Sequence, residues 1–270
     1  MSNETILTLQ SEVQRLVSLK GCNNWANIRD INNFDVIERE YSFGKRTCLV
    51  RKDSKIYENL QSSRGIGIID DDTIERILGD LDDQLGLLES DWVRISELEK
   101  IIEEHRKLLG LGKFSKDGFV ELGFRVPRLM RHYEDFGFKK SWGFDIAPLS
   151  LEVTKHLGYD ARRYDFDKCE GELDLGDADL VVTYHMLEHI SDPLPAVQKI
   201  FDSMKKDSYL HVEIPIEPGM PRVEFAHMFP FEPRDMLEML RIAGFVVIFG
   251  SNKTHTGGPH IERYTAYKGN

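Results

Sequence analysis

Gly118-Phe-Val-Glu-Leu-Gly-Phe-Arg-Val-Pro-Arg128 carries the first strong signal of fold in the chain. Phe119, Val120 and Leu122 form a short apolar run that predicts a buried strand, Gly123 predicts a tight turn, and Pro127 suits a helix first turn. Strand, glycine turn and helix N-terminus is how an open α/β sheet begins a nucleotide-type site. Glycine lets the backbone approach a ligand closely, and the helix start presents free N–H groups. Only one glycine of the Gly-x-Gly-x-x-Gly spacing is present: Arg125 stands in the second place and Arg128 in the third.

Downstream of this stretch the pattern alternates between strand and helix. Strands are predicted over 119–123, 141–145, 160–164, 178–184, 209–215, 245–249 and 261–267, and helices over 126–136, 148–157, 193–205 and 232–242. The last two strands are joined by a polar stretch holding Gly257-Gly-Pro259, with no room for a helix, so they should pair antiparallel. The expected fold class is α/β: a mainly parallel seven-stranded sheet with an antiparallel last strand, covered on both faces.

Upstream, residues 4–20 predict an amphipathic helix, 47–51 and 65–69 strands, and 72–85 and 90–109 further helices. In the last of these Ile95, Leu98, Ile102, His105 and Leu109 recur at spacings of three and four. The stripe is too short for a sustained heptad repeat, so ordinary helix packing is favoured, with a lid or homodimer role as the functional alternative. Residues 110–118 read as a linker, which divides the chain into an N-terminal, mostly helical segment, 1–115, and an α/β domain, 116–270.

Composition narrows the function. A net charge of −11 disfavours broad electrostatic binding to nucleic acid or to an anionic membrane surface. Three scattered cysteines with no metal-ligand spacing suit a reducing compartment. No basic leader precedes an apolar segment and no run of apolar residues reaches membrane-spanning length, so the expectation is a cytoplasmic protein without a membrane partner.

Ala178-Asp-Leu-Val-Val-Thr-Tyr-His-Met-Leu-Glu-His-Ile-Ser-Asp-Pro193 resembles the segment after the fourth strand in class I S-adenosylmethionine-dependent methyltransferases. His227-Met-Phe-Pro-Phe-Glu-Pro-Arg-Asp-Met-Leu-Glu-Met-Leu-Arg-Ile-Ala-Gly-Phe245 resembles that group's aromatic and histidine segment before a helix ending in Ala-Gly-Phe. The resemblance covers residues 118–268 and implies a Rossmann-like methyltransferase fold with S-adenosylmethionine as cofactor. It places Glu121, Gly123 and Arg125 in the first cofactor motif, and Asp145 on the ribose hydroxyls. Asp165 and Phe166 fall beside the adenine, and Tyr184 by the sulfonium. Arg125 would either fill the methionine position or pair with the cofactor's carboxylate.

The implied reaction is methyl transfer to a hydroxyl of a small molecule, such as a sugar or nucleotide-sugar, with carbohydrate modification as its context. The alternative is a methyltransferase-like module without catalysis, serving binding or assembly. A hydroxyl acceptor must lose a proton, and His185 and His189 are the candidate bases because imidazole titrates in the right range. Glu188 and His227 are candidate substrate contacts. Glu188 with His185 and His189 would also suit a divalent cation, as the similar segment does in some quinone methyltransferases. Without further acidic ligands in order, no metal is expected.

Overall fold

The computed structural model describes residues 34–51, 89–125, 127–216, 227–254 and 260–269. The helices expected at 4–20 and 72–85 and the strand at 65–69 lie outside the described residues.

Phe34–Tyr41 (β1) and Gly44–Arg51 (β2) form an antiparallel hairpin. Helix α1 (Glu89–Leu108) leads through the predicted linker into β3 (Phe119–Leu122). There follow α2 (Arg128–Arg131), β4 (Ser141–Asp145), α3 (Pro148–His156), β5 (Asp160–Arg163) and β6 (Leu180–Tyr184). A 3-10 turn (Leu187–His189) precedes α4 (Pro193–Ser203) and β7 (Ser208–Pro215). The chain closes with α5 (Asp235–Ala243), β8 (Val246–Thr254) and β9 (His260–Lys268).

Seven strands make one sheet in the order β5-β4-β3-β6-β7-β9-β8. The pairs from β5 to β7 are parallel, whereas β9 runs antiparallel to both β7 and β8. The fold class and the reversed end are as the residue pattern predicts. The central strands are buried on both faces because each side of the sheet has its own cover. Val120, Leu122, Phe144, Val181 and Val212 pack with Ala196, Ile200, Met236 and Leu240 of α4 and α5. Phe119, Leu180, Val182 and Tyr209 on the opposite face pack with Ile95, Leu98 and Ile102 of α1. The helix assigned from sequence to the segment before residue 116 thus shares a core with the sheet. Three residues of its apolar stripe, Ile95, Leu98 and Ile102, are buried within the chain, whereas Leu109 at its end is 52% exposed.

One predicted helix is much shorter than expected. The 126–136 helix reduces to Arg128–Arg131, because His132 and Tyr133 donate to Leu129 and Met130, three residues back, and the turn tightens and ends. Among the described residues no helix is long and apolar enough to cross a membrane.

Candidate functional site

The site begins at the carboxyl ends of β3 and β4, neighbouring parallel strands. Gly123 has φ +66, and a Cβ there would lie 2.4 Å from Cγ of Met186, so only glycine fits beneath that side chain. The Gly123 N–H donates to the Phe144 carbonyl at 2.7 Å, stapling the turn to β4. The Glu121 carboxylate, buried under the turn, accepts the Met130 N–H at 3.0 Å and holds α2 in place.

Asp145 closes β4 with 7% of its surface exposed. Its two oxygens accept the N–H groups of Arg125 (2.9 Å) and Ala147 (2.8 Å). Burial pushes this carboxyl above its ordinary pKa, against the pull of backbone N–H donors at Ala147, Arg125 and Ile146. Arg125 takes a left-handed backbone, φ 45, and its side chain is exposed rather than packed into the interior.

After β5 the chain returns to the same edge. The Tyr164 N–H donates to the Asp145 carbonyl at 3.1 Å, which brings Asp165 and Phe166 alongside. Phe166 is buried, with its ring centroid 4.8 Å from that of Tyr164. One Asp165 oxygen accepts the Asp167 N–H at 3.1 Å.

The second half of the site follows β6. Tyr184 ends that strand half-buried, its ring edge-on to His211 at 5.6 Å. His185, in a left-handed backbone (φ 55), lies between two carboxylates. Its Nδ1 is 3.2 Å from Glu188 and its Nε2 3.0 Å from Glu213, and each glutamate is only 1% exposed. The second oxygen of Glu213 accepts from Nε of Arg263, directly opposite on β9. Burial works against the charged ring, but hydrogen bonds and charge from Glu188 and Glu213 outweigh it and lift the His185 pKa to about 10. With both nitrogens committed to acceptors, the ring carries both protons.

Glu188 Oε1 is used by His185, whereas Oε2 is buried and has no hydrogen-bond partner. The carboxylate shares a small region with His189 and His227, each residue offering a ligand-type atom within 4.8 Å of the others. The Glu188 carbonyl accepts the N–H groups of Met228 (2.6 Å) and Phe229 (3.1 Å), which is what brings His227 in from a distant part of the chain. The two rings meet edge-on at 4.9 Å. Burial acts to raise the Glu188 carboxyl, yet the His185 hydrogen bond and the neighbouring imidazoles hold it below the usual range.

The β1–β2 hairpin braces this region. Ser42 donates its N–H and its hydroxyl to Asp192 at 2.7 and 2.8 Å. Arg46 pairs with Asp235 (2.6 Å) and Glu232 (3.1 Å), and Tyr41 stacks edge-on against Phe229 at 4.7 Å. The sequence reading singled out neither Arg46, Glu213 nor Arg263. The last two had a usable signal: a charge inside an apolar strand needs a partner.

The model of a methyltransferase-domain family matches residues 95–248 of this chain. The chain belongs to that family. With the seven-stranded mixed sheet, this makes it a class I S-adenosylmethionine-dependent methyltransferase, with S-adenosylmethionine as its cofactor. Among solved structures it is similar to a chain from the complex between the Haloferax volcanii Trm112 methyltransferase activator and a methyltransferase. That match has 13% identity, a TM-score of 0.50, and covers 66% of this chain and 94% of the other. An S-adenosylmethionine-dependent methyltransferase from Clostridium acetobutylicum matches at 11% identity and TM-score 0.49, over 73% of this chain and 99% of its own. One from Mesorhizobium loti matches at 14% and 0.46, over 61% and 97%. No curated protein sequence matches the chain.

Proposed function

We propose that this methyltransferase acts on a hydroxyl of a small molecule, a sugar or nucleotide-sugar in type, in a cytoplasmic setting. The residues at the strand ends suit the cofactor's parts. Asp145, buried but with lone pairs beyond its two backbone bonds, is the acceptor for the ribose hydroxyls. Asp165 is the acceptor for the exocyclic amine, and Phe166 packs against the base. Glu121 and Gly123 shape the turn that meets the methionyl part. The exposed Arg125 side chain is available for the cofactor's carboxylate, and Tyr184 lies by the sulfonium. When bound, S-adenosylmethionine supplies an electrophilic methyl group. The protein's task is then to align the acceptor oxygen and remove its proton.

The observation that carries the reading is the group around Glu188. Its buried carboxylate faces His189 and His227, one turn past the Met186 side chain that covers Gly123. In this reading His189 takes the hydroxyl proton, and Glu188 and His227 orient the acceptor. His185 also resembled a base at the level of sequence. Its two nitrogens are both engaged by carboxylates, so its role here is to hold Glu188 and Glu213 in position as a fixed cation. The alternative of a non-catalytic module is motivated by arginines in place of glycines at 125 and 128, and the exposed Arg125 side chain counts against the first of them as a block.

The test is release of S-adenosylhomocysteine from S-adenosylmethionine, measured with panels of sugars, nucleotide-sugars, phenols, amines and thiols. Turnover with a hydroxyl-bearing acceptor, reduced at least a hundredfold in His189→Ala, is expected. Turnover confined to amines or thiols would overturn the acceptor class.

A further inference from the structure

We propose that Glu188, His189 and His227 form a binding site for one divalent transition cation of the zinc or cobalt type. No local pattern points to this trio, because His227 lies 38 positions beyond His189 and is brought in by the Met228 and Phe229 bonds to the Glu188 carbonyl. The sequence pointed to His185 as the third ligand, and the structure commits both nitrogens of that ring elsewhere.

Three features make this a built site rather than a chance grouping. The Glu188 side chain is 1% exposed and its Oε2 has no hydrogen-bond partner, although leaving a buried carboxylate oxygen unmet is costly. The carboxylate lies together with two imidazoles, and two histidines with one carboxylate are a donor set suited to zinc and neighbouring metals. The carboxylate is also held from behind: His185 binds Oε1, and Glu213, itself paired with Arg263, fixes His185, an outer shell that orients the ligand. The donor atoms lie within 4.8 Å of one another. Metal bonds of about 2.0–2.2 Å in a tetrahedron need donors roughly 3.4 Å apart, so rotations closing the group by about an ångström suffice.

Three protein ligands leave a position open for water or for an acceptor hydroxyl, which the ion would make more acidic. With the cation bound, His189 is a ligand and the hydroxyl proton passes to water, in place of the direct transfer to His189 open to the metal-free site; His189→Ala lowers turnover by either route. Cation binding itself requires neither acceptor nor cofactor, so it stands or falls separately from the methyl-transfer reading.

The experiment uses the full chain stripped with a chelator and titrated with Co2+, followed by visible absorption, and with Zn2+, followed by calorimetry. One Co2+ per chain is expected, with ligand-field bands, no thiolate-to-metal charge transfer, and displacement by Zn2+. Glu188→Gln and His227→Ala should each weaken binding at least tenfold, the second while keeping the wild-type circular dichroism spectrum. Absence of binding, an unchanged affinity in either variant, or a charge-transfer band placing the ion on a cysteine would each overturn the site.

Discussion

Replacing Arg263 by methionine keeps most of the side chain's bulk and deletes its charge, which makes it a direct probe of the network beneath the site. In the native arrangement the buried Glu213 has one oxygen on Arg263 and the other 3.0 Å from His185, and His185 also serves Glu188. Two cations balance two carboxylates. Without Arg263, one imidazolium must balance both, and one oxygen of a 1%-exposed glutamate loses its donor. Removing one member of a buried ion pair costs about 3–5 kcal/mol, mostly because the remaining charge is left desolvated. For a domain of this size the melting temperature should fall on the order of 10 °C. Urea unfolding followed by tryptophan fluorescence measures the loss, with Trp142 in the core as one reporter. The double variant Arg263→Met/Glu213→Gln should regain more than half of it, since the orphaned charge is gone. A loss below about 1 kcal/mol, or a double variant no better than the single, would refute the balanced-network account.

Further predictions follow from the same geometry. Ring 15N chemical shifts should show His185 protonated at both nitrogens at pH 8; a neutral ring there would remove its role as a fixed cation. Its raised pKa means the stabilisation is fully present below about 6.5 and is lost as pH rises through about 10. The 41% exposure of its side chain makes that contribution smaller than the shift alone suggests. Asp235 has the same sign for a different reason: burial outweighs Arg46 and raises its pKa to about 6. Its stabilising protonation is complete below about 3.8 and lost as pH rises through about 6, a dependence that Asp235→Asn should flatten in stability measured from pH 4 to 7. Gly123→Ala places a Cβ against Met186 in a left-handed turn. It should cost about 1–2 kcal/mol from backbone strain and weaken cofactor binding more than tenfold, and wild-type affinity in that variant would discount the close approach.

What was legible in the residues, and what was not, follows from how far apart the interacting groups lie. The strand and helix order from Phe119 to Lys268 could be read because each element carries its own periodicity and its own stop, as Gly158 and Gly244 do for α3 and α5. The reversed pairing of β9 was legible because Gly257-Gly-Pro259 leaves no room for a crossover helix. The partner of strand 47–51 was not: in Phe34–Tyr41 the adjacent Val36 and Ile37 and the consecutive charges Glu38, Arg39 and Glu40 break the alternation that marks a strand. The short α2 was missed because its end depends on how His132 and Tyr133 place their N–H bonds. Asp145, Glu188 and His189 stood out as acids and histidines near strand ends. That His185 would be consumed by Glu213, and that His227 would join Glu188, depends on contacts across 28 and 39 positions. No local pattern encodes such contacts.

On this reading the ends of β3, β4 and β5 hold S-adenosylmethionine, with Asp145 as the acceptor for the ribose. Calorimetric titration of the full chain with S-adenosylhomocysteine, repeated on Asp145→Ala, is the decisive measurement. Loss of charge-assisted hydrogen bonds worth about 1.5–3 kcal/mol each predicts one site in the wild type, weakened at least tenfold in the variant. No heat of binding in the wild type, or equal affinity in both proteins, would contradict it.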